Sequence, residues 1–94
     1  MLFIVHALDA KNALPKRKKF YEEHRAYMGT AAKNRIALIM SGPLVHENDD
    51  SAGSLYLMEA PNLATVKAFN DADPFTLNGV FETVNIHSYL RRAS

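Results

Sequence analysis

Apolar residues recur along this chain in two rhythms. The stretch from Leu2 to Leu8 is short, apolar but for His6, and rich in strand formers; Phe3, Val5 and Ala7 would face one way, and Leu2, Ile4, His6 and Leu8 the other. That composition predicts a first β-strand. From about Ala13 to about Lys33 the period lengthens to that of a helix. With residues placed at about 100° steps, Ala13, Phe20, His24, Tyr27 and Ala31 share one narrow stripe. Arg17, Tyr21 and Met28 border the stripe, and Lys18, Glu22, Arg25 and Lys33 lie opposite, as in an amphipathic surface helix. Asn12 is the expected N-cap, and Pro15 falls in the first turn, where its missing donor costs little. Gly29 marks a bend or an early end.

Ile36–Met40 is a second apolar strand that Ser41-Gly42-Pro43 is expected to close. The polar stretch from Val45 to Gly53 reads as a hairpin loop, and Leu55–Met58 as the third strand. Asn62 then caps a second helix running to about Asp71, with Leu63, Val66 and Phe69 inward. Asp73-Pro74 opens a single helical turn that Asn78-Gly79 ends. Val80–Leu90 supplies the last strand.

The order β-α-β-β-α-β is the ferredoxin-like, split βαβ pattern of α+β proteins. Two helices cover one face of a four-stranded antiparallel sheet. The other face is also apolar, and a second copy of the chain is its natural cover, so a homodimer through sheet faces is expected. A chain of 94 residues makes one domain, 1–94, with a thin core, which adds to that expectation.

Composition removes several function classes. A net charge of +1 leaves no electrostatic footprint for nucleic acid. The basic run Lys16–Lys19 is offset by Glu22 and Glu23 and reads as a solvated helix side. Without cysteine there is no disulfide, thiolate nucleophile or Cys-based zinc site. The apolar N-terminus lacks a basic leader and a cleavage site, and no run reaches membrane-spanning length. A cytoplasmic protein without membrane partners is therefore expected.

Phosphate-cradling glycine motifs and a nucleophile elbow are missing. His46 with Glu47 and Asp49 has the composition of a metal site but not its spacing, so neither metal nor cofactor is expected. His6 and His87 fall on the first and last strands, neighbours in this topology.

A set of local features then points to a known group. An apolar N-terminal strand, Arg17 seven residues before His24, Ser41-Gly42-Pro43, and Asp71-Ala72-Asp73-Pro74-Phe75 together resemble the YCII-related family. The resemblance spans nearly the whole chain, and Ala72-Asp73-Pro74-Phe75 is its most specific piece. It implies a dimeric α+β barrel similar to the muconolactone isomerase group. It also implies an active site formed by His24 and Asp73. One branch of the family resembles a dehydrochlorinase of chlorinated hydroxyhydroquinones. The chain departs from the family pattern at Tyr27, where members often carry Leu, and in its short acidic hairpin loop.

His24 thus has two readings. In the first, a carboxylate on one ring nitrogen fixes the tautomer and the other nitrogen exchanges a proton with a substrate. In the second, it is a core histidine satisfied by backbone. Asp73 orients that histidine, or only caps the turn before Pro74. Arg17 anchors an anionic substrate oxygen, or carries its charge out to solvent from the edge of the stripe. Ser41, Gly42 and Pro43 admit a ligand close to the backbone, or simply end a strand. Tyr27 and Phe75, like Met28 and Phe81, line a pocket or fill the core.

The expected small-molecule activity is a cofactor-independent lyase or isomerase acting on a small, aromatic or enolisable acid. A non-enzymatic ligand-binding module and a cofactor-free monooxygenase are the alternatives, since fold alone does not choose among them.

Overall fold

The computed structural model describes residues 1–93; Ser94, the last residue of the polar tail and of the expected 1–94 domain, lies outside the described residues. The elements are β1 (Leu2–Asp9), α1 (Leu14–Met28), a 3-10 turn (Ala31–Asn34), β2 (Ala37–Val45), β3 (Ser51–Glu59), α2 (Leu63–Asp71), α3 (Pro74–Leu77) and β4 (Phe81–Tyr89). The strands form one sheet in the order β2-β3-β1-β4, antiparallel throughout. This is the ferredoxin-like α+β arrangement that the element order predicts.

The alternation in β1 sets the two sheet faces. Phe3, Val5 and Ala7 are fully buried under the helices. Register places Met58, Tyr56 and Ser54 of β3 beside them, and Ser88, Ile86 and Val84 of β4 on the other side. Ile36, Val66 and Phe69 close over this row to make the main core. Each fully buried side chain of this kind stabilises the fold by roughly 1.5–3 kcal/mol. A smaller cluster of Ala13, Phe75 and Val80 lies under the start of α1.

Several local expectations need correction. Asn12 does not cap α1. It sits at φ 60 in the turn between β1 and α1, a conformation Asn tolerates, and Ala13 occupies the cap position without a side-chain bond. The helix stops at Met28 with Gly29 as its C-cap, and the chain continues as a 3-10 turn rather than as helix to Lys33. Ser41-Gly42-Pro43 does not close β2, which runs on to Val45. Because β2 is an edge strand, Pro43 can sit in it without removing a bond from an inner ladder.

The hairpin is also tighter than expected. His46 N–H donates to the Asp50 carbonyl at 2.8 Å, Asp49 supplies a positive φ of 69, and β3 starts at Ser51 instead of Leu55. Gly53 is required there, because a Cβ would collide with the Ala7 carbonyl of the adjacent strand. On α2 the buried positions are Val66, Phe69 and Asn70, while Leu63 at the helix start is 50% exposed. The predicted cap of this helix is present: the Asn62 side chain accepts from Thr65 N–H at 2.9 Å.

The second sheet face carries Ile4, His6 and Leu8 of β1, Leu55 and Leu57 of β3, Met40 of β2 and Tyr89 of β4. Leu8, Met40 and Tyr89 are exposed on it. His6 pairs with Asn85 and His87 with Ile4, so the two histidines are diagonal neighbours there. Among the described residues no helix is long and apolar enough to cross a membrane.

Candidate active site

The first helix stripe and the Asp-Pro-Phe turn converge on one cavity. It lies on the helix side of the sheet, between α1 and the β2–β3 hairpin, with a volume of about 640 Å³. That size suits a small organic ligand. Its wall includes Arg17, His24, Ser41, Gly42, Pro43 and Phe75 from the residues singled out in the sequence. Tyr21, Met28, Ser51, Ser54 and Tyr56 also border it.

Asp73 is not among the wall residues but holds two of them, His24 and Phe75. It is 2% exposed and is the N-cap of α3. Its Oδ1 accepts from Phe75 N–H at 2.9 Å and lies 2.7 Å from His24 Nδ1. A carboxylate can only accept, so the proton of the neutral imidazole belongs on Nδ1 and the lone pair on Nε2. Nε2 makes no hydrogen bond to the described residues, and the ring borders the cavity. The imidazole stacks on Phe75 with centroids 3.9 Å apart and planes 2° from parallel. One oxygen of Asp73 thus contacts both the cap N–H and the imidazole nitrogen.

Arg17 does not carry its charge out to solvent. It is the buried residue of α1. Nε donates to Asp9 Oδ2 at 2.8 Å, and Nη2 donates to the Gly53 carbonyl at 2.7 Å and to Ser54 Oγ. The guanidinium carbon lies 5.0 Å from the Phe75 ring centroid, within cation–π range. Arg17 therefore ties α1 to β1 and β3 at the edge of the cavity.

Tyr27 lies away from the cavity wall. Its hydroxyl donates to the Phe69 carbonyl at 2.8 Å, and its ring stacks on Phe69 at 4.7 Å. Burial and the nearby Asp73 carboxylate push its pKa up. It belongs to the packing between α1 and α2, and its place one turn after His24 follows from the same helical stripe that made it a candidate. Phe81 likewise packs edge-on against Phe75 at 5.9 Å rather than lining the cavity.

The cavity wall carries the cationic side chains of Arg17, Lys18 and Arg25, with the carboxylates of Asp9 and Asp73 directly behind it against Arg17 and His24. Ser54 and Tyr56 are among the wall residues that the sequence reading did not single out. Their signal was available, because they alternate with Leu55 and Leu57 on β3 and so place polar groups on the inward face. Among the described residues no group of three or more His, Cys, Asp or Glu is placed to hold a metal ion.

Comparison with known proteins follows the same lines. The YCII-related domain, as a family model, matches residues 1–89. Protein YciI of Escherichia coli O6:H1 and that of Shigella flexneri are each 30% identical over 95 aligned positions, covering 95% of this chain and 96% of theirs. The solved structure of 5-chloro-2-hydroxyhydroquinone dehydrochlorinase (TftG) from Burkholderia phenoliruptrix AC1100, in complex with 2,5-dihydroxybenzoquinone, superposes with a TM-score of 0.84. It is 27% identical, with 96% of this chain and 94% of that chain covered. The C-terminal domain of MgtC from Mycobacterium tuberculosis shares the fold, with a TM-score of 0.57 at 14% identity over 94% of this chain and 86% of that one.

Proposed function

The chain belongs to the YCII-related family, and on that premise we propose that it is a small, cofactor-independent lyase or isomerase acting on a small aromatic or enolisable organic acid. His24 Nε2 takes a proton from the substrate. The electron pair left behind expels a leaving group or moves to a neighbouring carbon, and Nε2 then returns the proton to the product or to water. Asp73 holds the Nδ1–H tautomer and stabilises the imidazolium while the proton is in transit. The observation that carries the reading is the 2.7 Å contact between His24 Nδ1 and Asp73 Oδ1 at the wall of a cavity that a ligand can enter.

The basic wall supports an anionic substrate, and the likeness to a dehydrochlorinase supports a ring bearing hydroxyl groups. Ser41, Gly42, Pro43 and Phe75 are the proposed contacts to that ring, with Arg17 reaching its charge. A homodimer through the open sheet face, in a cytoplasmic setting, belongs to the same proposal. Its support is the row of exposed apolar residues on that face.

The test is turnover of chlorinated hydroxyhydroquinones and muconolactone-like lactones by the wild type, His24→Gln and Asp73→Asn. Positioned proton transfer contributes roughly a hundred- to ten-thousandfold, so either variant should lose activity on that scale. Binding without turnover, indifferent to His24, would make the protein a binding module. Oxygen uptake would point to a monooxygenase.

A further inference from the structure

We propose that the substrate carries a carboxylate arm set apart from its reacting ring or enol, and that Lys18 and Arg25 bind this arm at the mouth of the cavity. The proposal rests on the reading of the site given above and adds a second anionic group to the substrate, at a stated place. Seven residues of α1 border the cavity, and at about 100° per residue they span about 120° of the helix circumference. His24 and Arg17 hold one margin of that arc, Tyr21 and Met28 its middle, and Arg25 and Lys18 the other margin. The apolar stripe alone sets Lys18 and Arg25 on the solvent side; the cavity reaches round the helix flank to them. Burial falls in the same direction, from buried Arg17 and half-buried His24 to exposed Tyr21, Arg25 and Lys18. A molecule lying across this flank meets a proton-transfer group, then an apolar band, then two cations.

Charge and size both support the arm. The carboxylate of Asp9 matches Arg17 at 2.8 Å, and that of Asp73 is held on His24 at 2.7 Å. Lys18 and Arg25 form no ion pair among the described residues. No charged side chain borders the cavity from β2 or β3. The two cations at the mouth are therefore the part of the wall's charge that nothing nearby balances, and an anion reaching them balances it. They stand about 10.5 Å apart along the helix axis, with Tyr21 between them, a gap that two long side chains can close on one carboxylate. A cavity of about 150 Å³ is enough for a benzene ring, whereas this one has about 640 Å³. A ring beside His24 thus leaves space toward the mouth, and the band of Tyr21 and Met28 suits the carbon atoms that join ring to carboxylate.

The probes for the test are 2,5-dihydroxyphenylacetate and methylhydroquinone, which share a ring and differ by the carboxylate. Their binding to the wild type and to the double variant Lys18→Gln with Arg25→Gln is measured by calorimetry under nitrogen, with the melting temperature of each free protein alongside. The wild type should bind the acid about five- to tenfold more tightly, the scale of two solvent-exposed ion pairs. The double variant should lose that preference at an unchanged melting temperature, and about 0.5 M salt should shrink it in the wild type, since exposed charges are screened. Equal affinities in the wild type, or a preference that survives both substitutions, overturns the assignment of Lys18 and Arg25 and leaves the His24–Asp73 pair standing. A double variant that melts lower and binds both probes more weakly to the same extent gives the cations a structural role and overturns it too. Failure of the wild type to bind either probe overturns both the assignment and the reading of the site on which it rests.

Discussion

Replacing Arg17 with Met should destabilise the protein by about 3–5 kcal/mol, the usual penalty for removing one partner of a buried ion pair. The Arg17 and Asp9 side chains are only 10% and 8% exposed, and Nε lies 2.8 Å from Oδ2. Met keeps much of the aliphatic stem against Phe75, so lost packing is a small part of the effect. What remains is an uncompensated carboxylate whose Oδ1 already lacks a partner. The Gly53 carbonyl and Ser54 Oγ lose their donor as well. An orphaned neutral acceptor costs about 1–3 kcal/mol, so the stranded charge dominates. Against a total stability of about 5–15 kcal/mol for a domain, this loss brings the variant close to unfolding. The assay is urea denaturation. With an m-value of about 2 kcal/mol/M, a loss of about 4 kcal/mol lowers the midpoint by about 2 M. The double variant Arg17→Met with Asp9→Leu removes both charges and should regain most of the loss, because replacing a whole buried pair with apolar groups is often neutral or better. A single variant that loses less than about 1 kcal/mol, or a double variant that loses the sum of its singles, would refute the reasoning.

Two further predictions concern alkaline pH and assembly. Tyr56 ionises near pH 10 when unfolded and at about 12 when folded. Its contribution is therefore complete below pH 10 and is lost between pH 10 and 12, by up to about 2.7 kcal/mol at 1.36 per unit. Tyr56→Phe should flatten the fall in stability across that window without abolishing it, since Tyr27 is shifted the same way; identical slopes in the two proteins would count against the burial of the phenol. In sedimentation, the wild type should run as a dimer, and Leu8→Glu combined with Met40→Glu should run as a folded monomer, because both residues are exposed on the open sheet face. A wild type that stays monomeric at high micromolar concentration would remove that face as an interface.

Much of this architecture was legible because it rests on local periodicity. The apolar run of β1 marks the strand, though burial under the helices of Phe3, Val5 and Ala7 rather than Leu2, Ile4 and Leu8 is seen only in the structure, and the Asn62 and Asp73 caps are readable from their own neighbourhoods. The misreadings share a cause: tertiary context overrode a local rule. Pro43 reads as a strand end unless it is known that β2 lies at the sheet edge. Arg17 reads as a solvent-facing stem unless it is known that Asp9, Gly53 and Ser54 gather around it from two strands. Tyr27 and His24 lie on the same stripe, yet one borders the cavity and the other packs on Phe69, a difference set by what lies across from each. Tyr56 was hidden for the opposite reason. In a short apolar strand a tyrosine looks like core, and only its alternation with Leu55 and Leu57 places it with Ser54 on the inward face.

The His24–Asp73 pair joins residues 49 positions apart, yet the geometry that aligns them is local to α3. Phe75 contributes twice. Its N–H fixes Asp73 Oδ1 at 2.9 Å, and its ring lies parallel to the imidazole at 3.9 Å. One residue therefore positions the carboxylate and its histidine partner together. Pro74, at the first helical position, supplies the φ the turn requires and gives up only an N–H that would be unsatisfied there in any case. That accounts for the Asp-Pro-Phe order in physical terms. The aspartate starts the turn and offers an oxygen, the proline sets the backbone, and the phenylalanine returns both an amide to that oxygen and a flat surface to the ring above it. Asn at position 73 would keep the cap and lose the charge, and Ala would lose both. Capping alone therefore tolerates several residues here, while holding a protonated imidazole requires the carboxylate.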